Sequence, residues 1–291
     1  MTPVDQAIDG DITEADLQQL RDGLRPLIGC SFRMLSLPLV ALMSVEPSQV
    51  GSMVGNLMDA MIPHLGTTNE LHDVDLTKYT GVTGDREGYP DYQHKSGFRL
   101  ELKLLFVNNP ALKTKRPLTP REPSARITQK VSLDDVDAKQ DALLVIAYRL
   151  EIRDDMPGAV SPKIVDLDVF PMAAVVRARN DNLSRRGGIW FGKDKTPAVI
   201  SLIGRKKMAE GKELDNTSYG RKSQERKDYN EDTNFGKLNR IPYAPLTSFL
   251  KKFGLNRDDE LGADAESIAQ TIEDTRELLE AARQTLEEIT T

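Results

Sequence analysis

A single cysteine, Cys30, excludes a disulfide framework and any multi-cysteine zinc or iron–sulfur site. Long apolar runs are missing too. The strongest, from Met34 to Met43, is about half a membrane span and is interrupted by Pro38, so no membrane partner is expected. No basic head precedes an apolar segment near the start, where Asp5, Asp9 and Asp11 stand instead, and no signal peptide is expected. Histidine is scarce, and His64, His72 and His94 lack the spacing of metal ligands. These absences leave a reducing-compartment protein, most simply cytoplasmic. What remains is 291 residues with 39% hydrophobic and 29% charged side chains. That is enough for one large domain, or a core domain with appended helices. The net charge of −6 says little about partners, because distribution matters more than the sum.

The distribution is uneven. Between positions 95 and 130, Lys95, Arg99, Lys103, Lys113, Lys115, Arg116, Arg121, Arg126 and Lys130 far outnumber Glu101 and Glu122. A second basic stretch runs from Arg185 and Arg186 through Arg205, Lys206 and Lys207 to Arg240, and acids gather at both ends. A polyanion would be repelled at the ends and attracted in the middle, which suits nucleic acid, although any single cluster also fits an ordinary solvated face.

Periodicity predicts a helix over 13–24 with Thr13 as N-cap, and another over 47–63 that opens on Pro47. A short strand is expected over 74–79, and a clear one over 98–107, where Leu100, Leu102 and Leu104 alternate with Arg99, Glu101 and Lys103. A cationic loop with Pro110, Pro117, Pro120 and Pro123 follows. Strands are expected over 142–152 and 163–178, a loop-rich polar region over 204–240, and a closing helix over 243–253. The tail over 265–289 reads as an acidic helix. Its Ile268, Ile272, Thr275, Leu279, Ala282, Leu286 and Ile289 form a heptad seam, to be packed on its own domain or on a second copy. The expected class is mixed α/β (α+β), in three parts: an N-terminal helical segment (1–45), a core (46–255) and the C-terminal helix (256–291).

The chemistry concentrates in Tyr89-Pro90-Asp91 and Glu101-Leu102-Lys103. Strand alternation puts Glu101 and Lys103 on one face and the leucines in the core. A hairpin turning near Gly97 would return Asp91 beside Glu101. Two carboxylates at a sheet edge suit a hard cation such as Mg²⁺, and a neighbouring lysine can orient water or balance a phosphate. The bland reading is a surface hairpin with a Glu–Lys salt bridge.

Pro90-Asp91 with Glu101-Leu102-Lys103 resembles the PD-(D/E)xK nuclease superfamily, the likeness covering the chain from the helix at Pro47 to about Ile152. The resemblance implies a restriction-endonuclease-like core, a central mixed sheet flanked by helices. It further implies Mg²⁺ on Asp91, Glu101 and the backbone of Leu102, with Lys103 assisting the water. A further carboxylate is implied on the preceding helix, for which Asp59 is the candidate and Glu46 and Glu70 are alternatives. Length and the long C-terminal half look most like a type II restriction endonuclease. That subtype implies a homodimer cutting double-stranded DNA at short sites to leave 5′-phosphates. The DNA contacts would come from Lys113, Lys115, Arg116, Arg121, Arg126 and Lys130, and from Arg185, Arg186, Arg205, Lys206 and Lys207 with Trp190. The competing class is a non-catalytic nucleic-acid-binding or scaffold protein carrying an acidic hairpin.

The segment from Gly187 to Lys193 has the spacing of a phosphate-binding loop, but Asp194 replaces the Ser or Thr and Pro197 interrupts the helix that should follow. Cys30, among apolar neighbours, reads as a small buried residue.

Overall fold

The computed structural model describes residues 11–42, 47–64, 74–80, 88–109, 112, 125–128, 131–185, 188–191, 196–198, 200–218 and 233–255. The chain begins with α1 (Glu14–Leu24), β1 (Leu37–Pro38), α2 (Leu39–Leu42) and α3 (Pro47–Met61). Then come β2 (Leu76–Lys78), β3 (Tyr92–His94), β4 (Arg99–Phe106), β5 (Asp141–Ile152), β6 (Ala159–Pro171) and α4 (Met172–Arg185). A small ribbon of β7 (Ile189–Phe191) and β8 (Thr196–Ala198), then α5 (Leu202–Ala209) and α6 (Ala244–Lys251), complete the described strands and α-helices. The architecture is mixed α/β: a six-stranded sheet in the order β1-β6-β5-β4-β3-β2 with helices against its faces.

Local chemistry explains several of these elements. The Thr13 hydroxyl accepts from the Asp16 amide at 3.2 Å while Asp16 accepts from the Thr13 amide at 3.0 Å, a reciprocal cap that starts α1. Gly97 takes φ +96° in the turn between β3 and β4, a conformation other residues rarely adopt. Residues 141 to 148 of β5 are all buried, as a strand covered on both faces must be. One face packs Leu20, Leu24, Val54 and Met58 on Leu100, Leu102 and Leu144. The other packs Val175, Val176, Leu246 and Phe249 on Leu105, Leu143 and Val145.

Two expected elements are corrected. The strand expected over 163–178 ends at Pro171, and α4 starts at Met172, burying Met172, Ala173, Val175, Val176, Arg179 and Leu183 at helical spacing. The region expected to be loop-rich from 204 onward contains most of α5, capped by Ser201, whose hydroxyl accepts from the Gly204 amide at 3.1 Å. The acidic tail at 256–291 lies outside the described residues. Among the described residues no helix is long and apolar enough to cross a membrane.

β4 and β5 run parallel, the remaining pairs of the large sheet antiparallel. β3 pairs with β4 only through Tyr92↔Leu100 and Gln93↔Arg99. Among the described residues, therefore, β4 beyond Leu100 is an edge on that side, and Asp91, Glu101 and Lys103 stand where the pairing stops.

Candidate functional site

Extending the β3–β4 register by one residue sets Asp91 opposite Glu101. Pro90 has no amide hydrogen to carry the ladder further. The Asp91 carboxylate takes over instead, its Oδ2 accepting from the Leu102 amide at 2.8 Å. A side chain thus supplies what a strand partner would have supplied, and it holds a carboxylate against the edge of β4.

Both faces of the sheet are covered, so Glu101 is not on an open surface: it is 4% exposed. The exposed salt bridge of the bland reading is thereby corrected. Lys103, whose side chain is 16% exposed, lies with Nζ 2.5 Å from Glu101 Oε1, 3.0 Å from the Leu102 carbonyl oxygen and 3.9 Å from Asp91 Oδ2. Glu101 Oε2 is buried with no hydrogen-bond partner. Burial pushes the Glu101 carboxyl up to about 7, with the Lys103 ammonium opposing the rise and the Asp91 carboxylate reinforcing it. Burial disfavours the Lys103 ammonium, but Glu101 and Asp91 outweigh it and hold its pKa above the ordinary value.

This arrangement couples stability to pH. Between 4.5, the ordinary value, and about 7, the folded state keeps a proton on Glu101 that the unfolded chain has lost. The contribution is complete below 4.5 and disappears as pH rises through 7. In metal-free buffer the protein should therefore lose stability, on the order of a few kcal/mol, between mildly acidic and mildly alkaline pH. Glu101→Gln should flatten that slope in urea titrations. A slope unchanged by this substitution would show that another group is responsible.

A cleft of about 240 Å³ opens beside the site, with Asp59, Asp91, Lys103, Ser52 and Asn56 among its lining residues. Asp59 comes from the C-terminal half of α3, the helix to which the resemblance assigned a carboxylate. It is held by the Tyr92 hydroxyl, 2.5 Å from Oδ1 and 2.6 Å from its backbone oxygen, and by Lys78 Nζ at 3.1 Å from Oδ2. The alternatives Glu46 and Glu70 lie outside the described residues.

The donor set fits a hard cation. The Asp91 and Glu101 carboxylates and the Leu102 carbonyl already converge on an ammonium, and Mg²⁺ commonly takes one or two carboxylates, completing its shell with water. Among the described residues there is no group of three or more His, Cys, Asp or Glu side chains placed to hold a metal. Asp59 lines the cleft, engaged there by Lys78 and Tyr92.

Sequence reasoning missed a buried anchor. Asp141, at the head of β5, accepts from Arg99 Nε at 2.5 Å and Nη2 at 2.6 Å, from the Tyr89 hydroxyl at 2.6 Å and from the Asp137 amide at 2.8 Å. It ties the segment leading into Asp91 to β4 and β5 together. The neighbours that could have signalled it, Tyr89 and Arg99, are dispersed along the chain.

The basic residues are less gathered. Arg126 is exposed, pairs through its backbone with Lys237, and follows Ala125, which lines the cleft. Lys113, Lys115, Arg116, Arg121, Lys130 and Arg186 lie outside the described residues. Arg185 ends α4 on the surface. Arg205 and Lys206 are exposed on α5, while Lys207 Nζ is engaged at 2.8 Å by Asp215. Trp190 belongs to β7, whose antiparallel partner β8 begins at Thr196, so no helix follows the phosphate-loop spacing there. His94 is buried, its Nδ1 2.6 Å from the Ser96 hydroxyl, and Cys30 is buried with Sγ donating to the Pro26 carbonyl at 3.1 Å. No family model, curated protein or solved structure matches this chain.

Proposed function

We propose that this protein is a Mg²⁺-dependent endonuclease of double-stranded DNA, of the type II restriction class, hydrolysing phosphodiester bonds to leave 5′-phosphates. The observation that carries the reading is the convergence of Asp91, Glu101 and Lys103 at the edge of β4, beside a cleft that also receives Asp59. A lysine paired with one buried carboxylate and a second carboxylate at the same edge is the kit that phosphodiester hydrolysis needs.

Asp91 and Glu101, with the Leu102 carbonyl, would hold the cation. Bound there, Mg²⁺ supplies polarisation of a phosphoryl oxygen and a more acidic water. Lys103 holds the attacking water or the phosphate oxygen at its ammonium. Asp59 adds a fixed negative charge to the cleft and accepts a hydrogen bond from the Tyr92 hydroxyl, which ties α3 to β3. The core is read as restriction-endonuclease-like on the order of helix, hairpin and parallel strand: α3, then β3–β4, then β5. Cutting both strands of a symmetric site calls for two such sites about a two-fold axis, hence a homodimer.

Incubating phage-length duplex DNA with the protein, with and without Mg²⁺, tests the reading. Discrete fragments only with Mg²⁺ support it, and sequenced ends give the site and stagger. Binding without cleavage under any divalent cation would favour the non-catalytic DNA-binding class, in which the buried Glu101–Lys103 pair is purely structural.

The cationic segment from Lys113 to Lys130 gives a second, graded expectation. Neutralising Lys113, Lys115 and Arg116 together should weaken binding to all sequences alike. The log–log salt dependence should become shallower by about 0.9 for each phosphate that the protein no longer neutralises. An unchanged slope in filter-binding titrations would place these cations away from the DNA.

A further inference from the structure

The Lys103 side chain turns back toward the two residues before it. Its ammonium is 2.5 Å from Glu101 Oε1, 3.0 Å from the Leu102 carbonyl oxygen and 3.9 Å from Asp91 Oδ2. These are the oxygens that the nuclease reading gives to the divalent cation. A metal would sit about 2.0–2.1 Å from such oxygens, which leaves no room for a second positive charge among them. Glu101 is 4% exposed and its Oε2 has no partner, so solvent ions do not neutralise it. When ionised, Glu101 must take its compensating cation from the chain or from a bound metal. Lys103 also lines the cleft, with Ser52, Asn56 and Asp59, so its ammonium has polar surroundings to move into.

We infer that Lys103 is a tethered counter-ion occupying the divalent-cation position in the metal-free protein, and that metal loading expels its ammonium into the cleft. The inference rests on the nuclease reading of the same site and adds an order of events to it. The ammonium is held on Glu101 until metal arrives, and only then extends into the cleft that the rest of the side chain already lines, where a phosphate would lie. No covalent change is involved: one cation replaces another on a buried carboxylate, and the displaced one shares the cleft with the Asp59 carboxylate.

The test is direct metal binding in the absence of DNA. Mn²⁺ would be titrated by electron paramagnetic resonance, and Mg²⁺ by calorimetry, in mildly alkaline buffer. The proteins are wild type, Lys103→Met, Lys103→Gln and Glu101→Gln. An internal occupant that holds the site nine-tenths of the time weakens apparent affinity about tenfold. Both neutral Lys103 variants should therefore bind about tenfold tighter than wild type, and metal should raise their Tm by more than it raises wild type's. Lys103→Gln keeps a donor toward Glu101 and covers the case in which the methionine variant does not fold. Equal or weaker binding by the neutral variants, with wild-type binding intact and lost in Glu101→Gln, would overturn the occupant while leaving the metal site standing. Failure of wild type and both neutral variants to bind either ion would overturn the inference and the metal-dependent reading together.

Discussion

Under the proposed nuclease function, Asp91→Ala and Lys103→Ala are each expected to lower Mg²⁺-dependent cleavage roughly a thousandfold, the scale for removing a positioned proton-transfer or charge-stabilising group. Folding should survive both changes, at a stability cost for Lys103→Ala that Glu101 limits by taking up a proton. The Leu102 amide freed by Asp91→Ala lies on a sheet edge, so water can replace the missing acceptor at a cost of about 1–3 kcal/mol at most. Asp91→Asn separates the two roles of this side chain. Its amide oxygen can still accept from Leu102, 2.8 Å away in the native arrangement, but it brings no charge to a cation. Asp91→Asn should therefore be as stable as wild type and nearly as inactive as the alanine variant. Lys103→Arg keeps the charge but not the compact, rotatable ammonium, and should recover little activity. Single-turnover cleavage of a labelled duplex, with circular dichroism as the folding control, measures all four. Near-normal turnover in either alanine variant would remove these residues from the chemistry.

How much of this site could be read in advance depended on how local its causes are. The β4 alternation, the turn at Gly97 and the return of Asp91 to Glu101 are consequences of period two and one glycine. They were legible. So were the Thr13 cap and the α3 start at Pro47. The burial of Glu101 was not, because alternation identifies a polar face without saying whether a second layer covers it. Here α4 and α6, drawn from much later in the chain, cover that side of the sheet. The same distance hides the true end of β6. Ala173, Ala174, Val175 and Val176 continue an apolar run that suits either state. Only their burial on β5 selects the helix, with Pro171 marking the break. α5 had local signals, Ser201 as cap and Lys206 and Lys207 in its last turn, but a weak apolar stripe let the surrounding polarity dominate. The clearest miss is Asp141. A carboxylate at the head of an apolar strand is unremarkable until Arg99 and Tyr89 are seen to converge on it.

That convergence makes Asp141→Ala the substitution with the largest expected effect on stability. Asp141 is 1% exposed and receives four hydrogen bonds on its two oxygens. Arg99 stands beside it as its register partner on the neighbouring parallel strand. Its hydrogen bonds to Asp141 raise the Arg99 pKa against the opposing effect of burial, so the guanidinium stays charged. Burial, then the Asp141 carboxylate, raise the Tyr89 hydroxyl, which remains a donor at every physiological pH. Removing the carboxylate leaves a half-buried guanidinium, a half-buried tyrosine hydroxyl and a backbone amide all short of an acceptor. Breaking one partner out of a buried pair costs about 3–5 kcal/mol. A domain's whole stability is about 5–15 kcal/mol, so a Tm lowered by about 10 °C is expected. Tyr89→Phe deletes only one of the four donors and should cost about 1 kcal/mol. The two variants also differ in reach. Tyr89 stands just ahead of Pro90 and Asp91, so loosening it should lower cleavage without unfolding the protein, whereas Asp141→Ala should do both. Urea and thermal melts of the two variants, run beside cleavage assays well below the lower Tm, separate these effects. An Asp141→Ala protein within about 1 kcal/mol of wild type would mean that Arg99 and Tyr89 find other acceptors, and that Asp141 does not hold the segment leading into Asp91.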